Sequence, residues 1–266
     1  MSLKRQKFSA LERRENMDKM IFTVLTGMKV VEQRQANTFN ELANVNTVGF
    51  KKSFNSSVFS QNLKGDESLE TRAFPSLLSQ NVVDLTPGPF QRTGNPFDLY
   101  IHDKGLFAVQ ADDGSEVYTR RGDIKVTDNG VLTTGNGYLI LGDDGPITVP
   151  PTSRIEVSPN GTINILVPGS TTNEMEPIAR LKLVDGGRQT MQIRPDGLYQ
   201  TEDKATLEAD ANIKVTAGGV EGSAAKPIDA MIQMIRDSRA YEMNVRVIKN
   251  AKEVSTASAS MMRLDG

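Results

Sequence analysis

Residues Lys226 to Met262 read KPIDAMIQMIRDSRAYEMNVRVIKNAKEVSTASASMM, with no glycine and a single proline, Pro227, at the start. Proline suits the first turn of a helix, where its missing N–H would have no intrahelical partner. Asp229 adds negative charge close to the positive end of the helix dipole. Met231, Met234, Ser238, Tyr241, Val245 and Ile248 follow at spacings of three and four, which places them on one face. Ile228, Ile235, Met243, Val247 and Ala251 widen that face, and Arg236, Asp237, Arg239, Arg246 and Lys249 are expected on the other. A helix of this length spans roughly 55 Å at about 1.5 Å per residue. That exceeds the diameter of a small domain, so much of the helix must find a partner outside a compact core.

A candidate partner lies at the other end of the chain. From Met17 to Val45 there is one glycine, Gly27, and no proline, and Ile21, Val24, Leu25, Met28, Val31, Phe39 and Leu42 recur at helical spacing. Polar Gln35 and Thr38 interrupt the stripe. Asn44 and Asn46 favour a helix end because their side chains bond nearby backbone. Gly49 is expected to cap the helix with a left-handed residue. Ahead of Met17, the basic and weakly apolar MSLKRQKFSALERREN reads as a disordered extension.

Between the helices the period changes. From Asn95 to about Val215, runs such as DLYI, LFAVQ, EVYTR, YLIL, RIEVS and TINILV alternate with Asp113-Gly114, Asn129-Gly130, Asn136-Gly137, Asp144-Gly145, Asn160-Gly161 and Asp196-Gly197. Short β-rich runs punctuated by Asn-Gly and Asp-Gly predict an antiparallel β-domain with mostly hairpin connections. Residues 54–90 are polar and irregular and read as an extended connector with short strands at Val58, Phe59, Leu77, Leu78, Val82, Val83 and Leu85. The fold class expected is therefore α+β: a mainly antiparallel central β-domain flanked by long terminal helices that pair as a coiled coil.

The chemistry the chain can carry is narrow. It holds no cysteine and one histidine, so neither a disulfide, a Cys–His nucleophile nor a multi-histidine metal site can form. His102 and Asp103 are adjacent, and neighbours along a strand point to opposite faces. Gly135 to Gly145 precedes no helix and reads as turns, not as a phosphate cradle. Asp112, Asp113, Asp143 and Asp144 read as solvated hairpin tips. No catalytic residue, cofactor site or metal site is expected. A net charge of -2 gives no bulk affinity for nucleic acid, and no apolar run reaches the roughly 20 residues that span a membrane. The charged N-terminus lacks an apolar signal region, so an extracytoplasmic protein with this start would need a different export route.

The two ends together carry a resemblance. LANVNTVGFK, Leu42 to Lys51, resembles the N-terminal signature of flagellar rod and hook proteins, and GVEGSAAKPIDAMIQMIRDSRAYEMNVRVI, Gly219 to Ile248, resembles their C-terminal signature. The middle, from Thr86 to Pro150, is similar to the family's central β-domain. The start MDKMIFTVLTGM at Met17, the Lys226-Pro227 pair and the short segment from Phe54 to Phe90 resemble the proximal-rod branch more than the distal rod, although Val220, Ala224 and Ala225 depart from the common pattern.

The resemblance implies a non-enzymatic structural subunit of the proximal rod of the flagellar basal body. It implies export by the flagellar type III apparatus, a final position in the periplasm, and partners that are other rod proteins and copies of the same chain. The contact would fall on Ile21, Leu25, Met28, Leu42 and Asn44 of the first helical segment and on Met231, Ile235, Tyr241, Val245 and Ile248 of the last. On this reading residues 1–16 are the extension, 17–48 the first helix, 49–90 the connector, 91–218 the β-domain and 219–266 the segment of the second helix. The competing class is a monomeric β-domain that binds or hydrolyses a ligand. The missing catalytic constellation, the matching ends and the overlong final helix all weigh against it.

Overall fold

The computed structural model describes the backbone of residues 2–63, 72–150, 154–166 and 175–264, and the side chains of residues 23–53, 82–150, 154–166 and 175–257. Helix α1 (Ser2–Ala43) is followed by β1 (Ser53–Leu63), β2 (Arg72–Val83), β3 (Phe90–Arg92), β4 (Leu99–Ile101), β5 (Gly105–Gln110), β6 (Glu116–Thr119), β7 (Ile124–Val126), β8 (Leu132–Thr134), β9 (Leu139–Gly142) and β10 (Gly145–Pro146). Then come β11 (Arg154–Val157), β12 (Thr162–Leu166), β13 (Glu176–Arg180), β14 (Leu183–Asp185), β15 (Met191–Ile193), β16 (Tyr199–Thr201), β17 (Val215–Ala217), β18 (Gly219–Glu221) and helix α2 (Pro227–Leu264).

The chain groups into two compact units. A helical unit combines Met1–Asn40, Asn55–Ser79 and Ile228–Gly266; a β-unit combines Glu41–Phe54 and Gln80–Pro227. The fold is α+β, as the period change predicts. Pairing in the β-unit is antiparallel and largely between sequence neighbours, as in the β5–β6 register Phe107↔Thr119 to Gln110↔Glu116. The glycines of the six expected turns, Gly114, Gly130, Gly137, Gly145, Gly161 and Gly197, all have φ between 79° and 119°. Long-range pairs close the sheet: β5 also meets β9 and β14, and Tyr199 of β16 faces Tyr118 of β6. Strands β8, β15 and β16, three residues each, fall outside the runs read from sequence.

Strand β5 shows how the core is built. Its sequence GLFAVQ has no polar residue until Gln110, and Gly105 to Val109 are all buried. Successive side chains of a strand point to opposite faces. Leu106 and Ala108 accordingly pack with Val83, Tyr118, Val184 and Tyr199, whereas Phe107 and Val109 pack with Leu99, Ile101, Ile140 and Leu183. A strand apolar on both faces needs cover on both, and Ile163 and Ile165 of the three-stranded sheet β11–β12–β13 add to the larger cluster.

Two features of the helices differ from the sequence expectation. The stretch ahead of Met17 is helical back to Ser2; it has no glycine or proline, and Leu, Gln, Glu, Lys and Arg are good helix formers. Helix α1 also ends at Ala43, so Gly49 does not cap it, although its φ is 67° as expected. The left-handed residue serves a close approach described below. Ile21, and the connector positions Val58, Phe59, Leu77 and Leu78, have side chains outside the described residues.

Candidate functional site

The stretches that carry the two end signatures meet inside the β-unit. Lys51 lies just before β1, Glu221 closes β18 and Arg120 directly follows β6; all three side chains are fully buried. Lys51 Nζ lies 2.5 Å from Glu221 Oε1, and Arg120 Nε donates to Glu221 Oε2 at 2.6 Å. Further donors reach backbone carbonyls: Lys51 Nζ donates to Thr86 O, and Arg120 Nη1 donates to Asp103 O at 2.8 Å and to Gly105 O at 2.6 Å. Glu221 Oε1 also accepts the Gly88 N–H at 2.5 Å. Two cations thus share one carboxylate. Both oxygens of the buried carboxylate are paired, as burial demands, whereas Arg120 Nη2 is buried without a hydrogen-bond partner. Burial pushes the Lys51 ammonium below its usual 10.5, against the hydrogen bond and attraction of Glu221, which raise it.

Backbone contacts seal the same joint. Gly49 N donates to Glu221 O at 2.8 Å, and Ala224 N donates to Phe50 O at 3.0 Å. Ser223 Oγ donates to Asn44 O at 2.7 Å, so the predicted contact residue Asn44 serves the joint. A Cβ on Gly49 would sit 2.6 Å from the Arg120 carbonyl carbon and oxygen. The left-handed glycine therefore lets the chain end lie flat on Arg120, a place no side chain fits. Strand β18 pairs with β3 in the register Gly219↔Arg92 to Glu221↔Phe90.

In the helical unit the buried face of α2 is turned from the expected one. Ala230, Asp237 and Ala251 are buried, and Gln233, Ala240, Asn244 and Val247 between them are half-buried. These positions alternate at spacings of three and four, one residue out of step with the apolar stripe, or about 100° around the axis. Met231, Ile235 and Tyr241 are instead exposed at 49%, 52% and 44%, and Met243 at 65%. Val245 and Ile248 are half-buried. Asp237, expected on the solvated face, is buried, and Arg34 of α1 approaches it at 3.5 Å. On α1, Val31 and Thr38 are buried and Val24, Met28, Gln35 and Leu42 half-buried, whereas Leu25 and Phe39 are about half exposed. Thr38 can face inward because its hydroxyl donates to Arg34 O at 3.0 Å.

The chemistry elsewhere is that of ordinary surface groups. His102 Nε2 lies 2.8 Å from Thr216 Oγ1, and its ring meets Tyr100 edge to face. Asp113, at a hairpin tip, is held down to about 2 by hydrogen bonds from Ser115 and Arg194. Among the described residues no cluster of three or more metal-ligating side chains occurs. No described helix is long and apolar enough to cross a membrane.

Sequence reasoning quoted Lys51 and Glu221 inside the end signatures without assigning them a role, and it missed Arg120 and Arg34. The only local signal was a charged residue beside glycine in each signature: Gly49-Phe50-Lys51 and Glu221-Gly222.

Comparison with known proteins bears directly on these segments. Residues 100–165 match the family described as "Flagellar hook protein FlgE/F/G D1 domain", and residues 216–261 match "Flagellar basal body rod FlgEFG protein C-terminal". The flagellar basal-body rod protein FlgF of Salmonella typhimurium is 38% identical over 245 residues, covering 89% of this chain and 95% of that protein. FlgF of Escherichia coli is 36% identical over the same coverage. FlgG of Buchnera aphidicola subsp. Baizongia pistaciae is 30% identical over 260 residues, covering 86% and 94%. The chain belongs to the flagellar basal-body rod protein family, and within it is most like FlgF.

Proposed function

We propose that this chain joins its neighbours in the proximal rod through its terminal helices, which pair with each other as a coiled coil. Membership of the rod family makes it a structural subunit of the flagellar basal body and not an enzyme. The observation that supports assembly through the helices is the rotated seam of α2. Its inward seam is made of Ala230, Gln233, Asp237, Ala240, Asn244, Val247 and Ala251, while the larger Met231, Ile235, Tyr241 and Met243 point outward. Large apolar side chains left exposed along one helix suggest a contact with another molecule. The inward spacing of three and four is that of a coiled-coil seam, and small residues there favour close approach of a second helix.

On this reading Leu25, Met231, Ile235 and Tyr241 meet other subunits directly, with Ile21, Met28, Leu42, Val245 and Ile248 beside them, and Asn44 holds the base of the first helix. The segments taken to act in assembly are helix α1, Ser2–Ala43, in place of the expected extension 1–16 and helix 17–48, followed by the connector 49–90, the β-domain 91–218 and the helix segment 219–266. Partners are related rod proteins and further copies of the chain. Export through the flagellar type III apparatus to a periplasmic position completes the proposal; a signal-cleaved, unassembled form in the periplasm would contradict that route.

The test is Ile235→Asp in the full chain. Because Ile235 is half exposed, the purified subunit should unfold thermally as the parent does, while cells carrying the variant fail to swim and its basal bodies lack the chain. Normal swimming would remove α2 from the assembly surface.

A further inference from the structure

Among the described residues of α2, Asp237 is the only buried charged side chain, at 2% exposure. Its Oδ1 accepts from Gln233 Nε2 at 3.1 Å, one turn back, and lies 3.5 Å from the Arg34 guanidinium of α1. Its Oδ2 is equally buried and has no hydrogen-bond partner. Arg34 keeps 49% of its side chain exposed. A carboxylate oxygen withdrawn from water without a donor is unfavourable, and an apolar residue in the same place would avoid that penalty. A guanidinium has two parallel N–H groups that match both oxygens of a carboxylate, yet here one nitrogen makes one long contact. The pair is half made.

We infer that Arg34 and Asp237 set the register of the two terminal helices, and that Arg34 closes on both carboxylate oxygens when a neighbouring subunit covers it in the rod. The inference rests on the reading that the helices are the assembly surface. A polar position in a seam of small residues selects one alignment when every other alignment strands it. Sliding α1 by one turn, in either direction, brings Val30, Val31, Asn37 or Thr38 to the place of Arg34. None of these is a cation. Each one-turn slip therefore leaves the buried carboxylate without a countercharge, which the observed alignment supplies. Covering Arg34 removes competing water, strengthens the attraction and makes the two-pronged geometry the favoured one.

The experiment is a double-mutant cycle in the full chain, with Arg34→Met, Asp237→Asn and both together. Rod incorporation is read from isolated basal bodies beside swimming, and thermal unfolding of the purified subunits is followed in parallel. Arg34→Met leaves the carboxylate unpaired and should lower incorporation by roughly tenfold. Asp237→Asn keeps the Gln233 hydrogen bond and should lose less. The double variant should recover toward Asp237→Asn alone, because removing the charge relieves the harm of removing its partner. Additive losses, parent-like incorporation of Arg34→Met, or lower melting of the β-unit in step with the losses would each overturn the inference. If Ile235→Asp blocks incorporation while Arg34→Met does not, the register role alone falls. If neither blocks it, the helix reading falls as well.

Discussion

In the β-unit, Lys51 and Arg120 are withdrawn from water and hold both oxygens of the buried Glu221 carboxylate with short contacts, leaving only Arg120 Nη2 without a partner. In the helical unit, Asp237 is withdrawn just as far but keeps one oxygen unpaired, and its cation stays half in solvent. The large apolar side chains follow the same division. Those of β5 are covered on both faces of the sheet, while Met231, Ile235 and Met243 of α2 face outward. The β-unit satisfies its buried carboxylate from within, through both cations and the Gly88 N–H. The helices have those of a part whose remaining contacts come from elsewhere, and helices without a buried face are only marginally stable in water.

The change that should break this contrast most is Glu221→Ala. It strands two buried cations, and losing one member of a buried pair typically costs about 3–5 kcal/mol. Urea unfolding of the purified subunit should show a loss at least that large. Joint replacement of Lys51, Arg120 and Glu221 by Met, Leu and Leu should be much milder, because no buried charge remains. If Glu221→Ala unfolds like the parent, the joint does not organise the β-unit.

A smaller effect sharpens the comparison through pH. Burial lowers the Lys51 pKa below 10.5 in the folded chain. Between that lowered value and 10.5 the unfolded chain carries a proton on Lys51 that the folded chain lacks, so folding releases a proton and the contribution of Lys51 to stability rises with pH. It levels off above 10.5. Comparing unfolding of the parent and Lys51→Met across that window should show the rise in the parent and its loss in the variant. The opposite slope would mean that Lys51 is held charged by Glu221 more strongly than burial opposes it.

The smallest effect on the isolated subunit belongs to the outward residues. Met231→Ser and Phe39→Ser, at sites 49% and 50% exposed, should change its stability by no more than about 0.5 kcal/mol. The same substitutions should weaken rod incorporation. A large loss of subunit stability would show that these side chains are already packed in the chain's own fold.

Much of this was legible locally. Pro227 and Asp229 mark the start of α2, and the Asn-Gly and Asp-Gly pairs mark hairpins because a left-handed residue is a property of a few neighbouring atoms. Where reasoning by periodicity fell short, the cause was rotation. An apolar stripe says that a face is buried somewhere, and cannot say whether the burying surface is the same chain or another. The stripe expected on α2 leaves Met231, Ile235 and Tyr241 exposed, and the chain's own seam lies one residue away, through Ala230, Asp237 and Ala251. Strands β8, β15 and β16 fall outside the runs read from sequence, and their residues, Leu-Thr-Thr, Met-Gln-Ile and Tyr-Gln-Thr, include polar threonine and glutamine.

The sequence by itself determined the class of fold, the two long helices, the turn positions and, through the resemblance at both ends, the family. These depend on neighbours along the chain, where steric preference and hydrophobic spacing act directly. Only the tertiary structure decided that Lys51, Arg120 and Glu221 share one buried site, that Gly49 serves a close approach and not a helix cap, and that Arg34 finds Asp237. Those residues lie far apart in the chain, and neither their charge nor their spacing specifies a partner. The pairing emerges only when folding removes water from them and leaves one arrangement in which the charges meet.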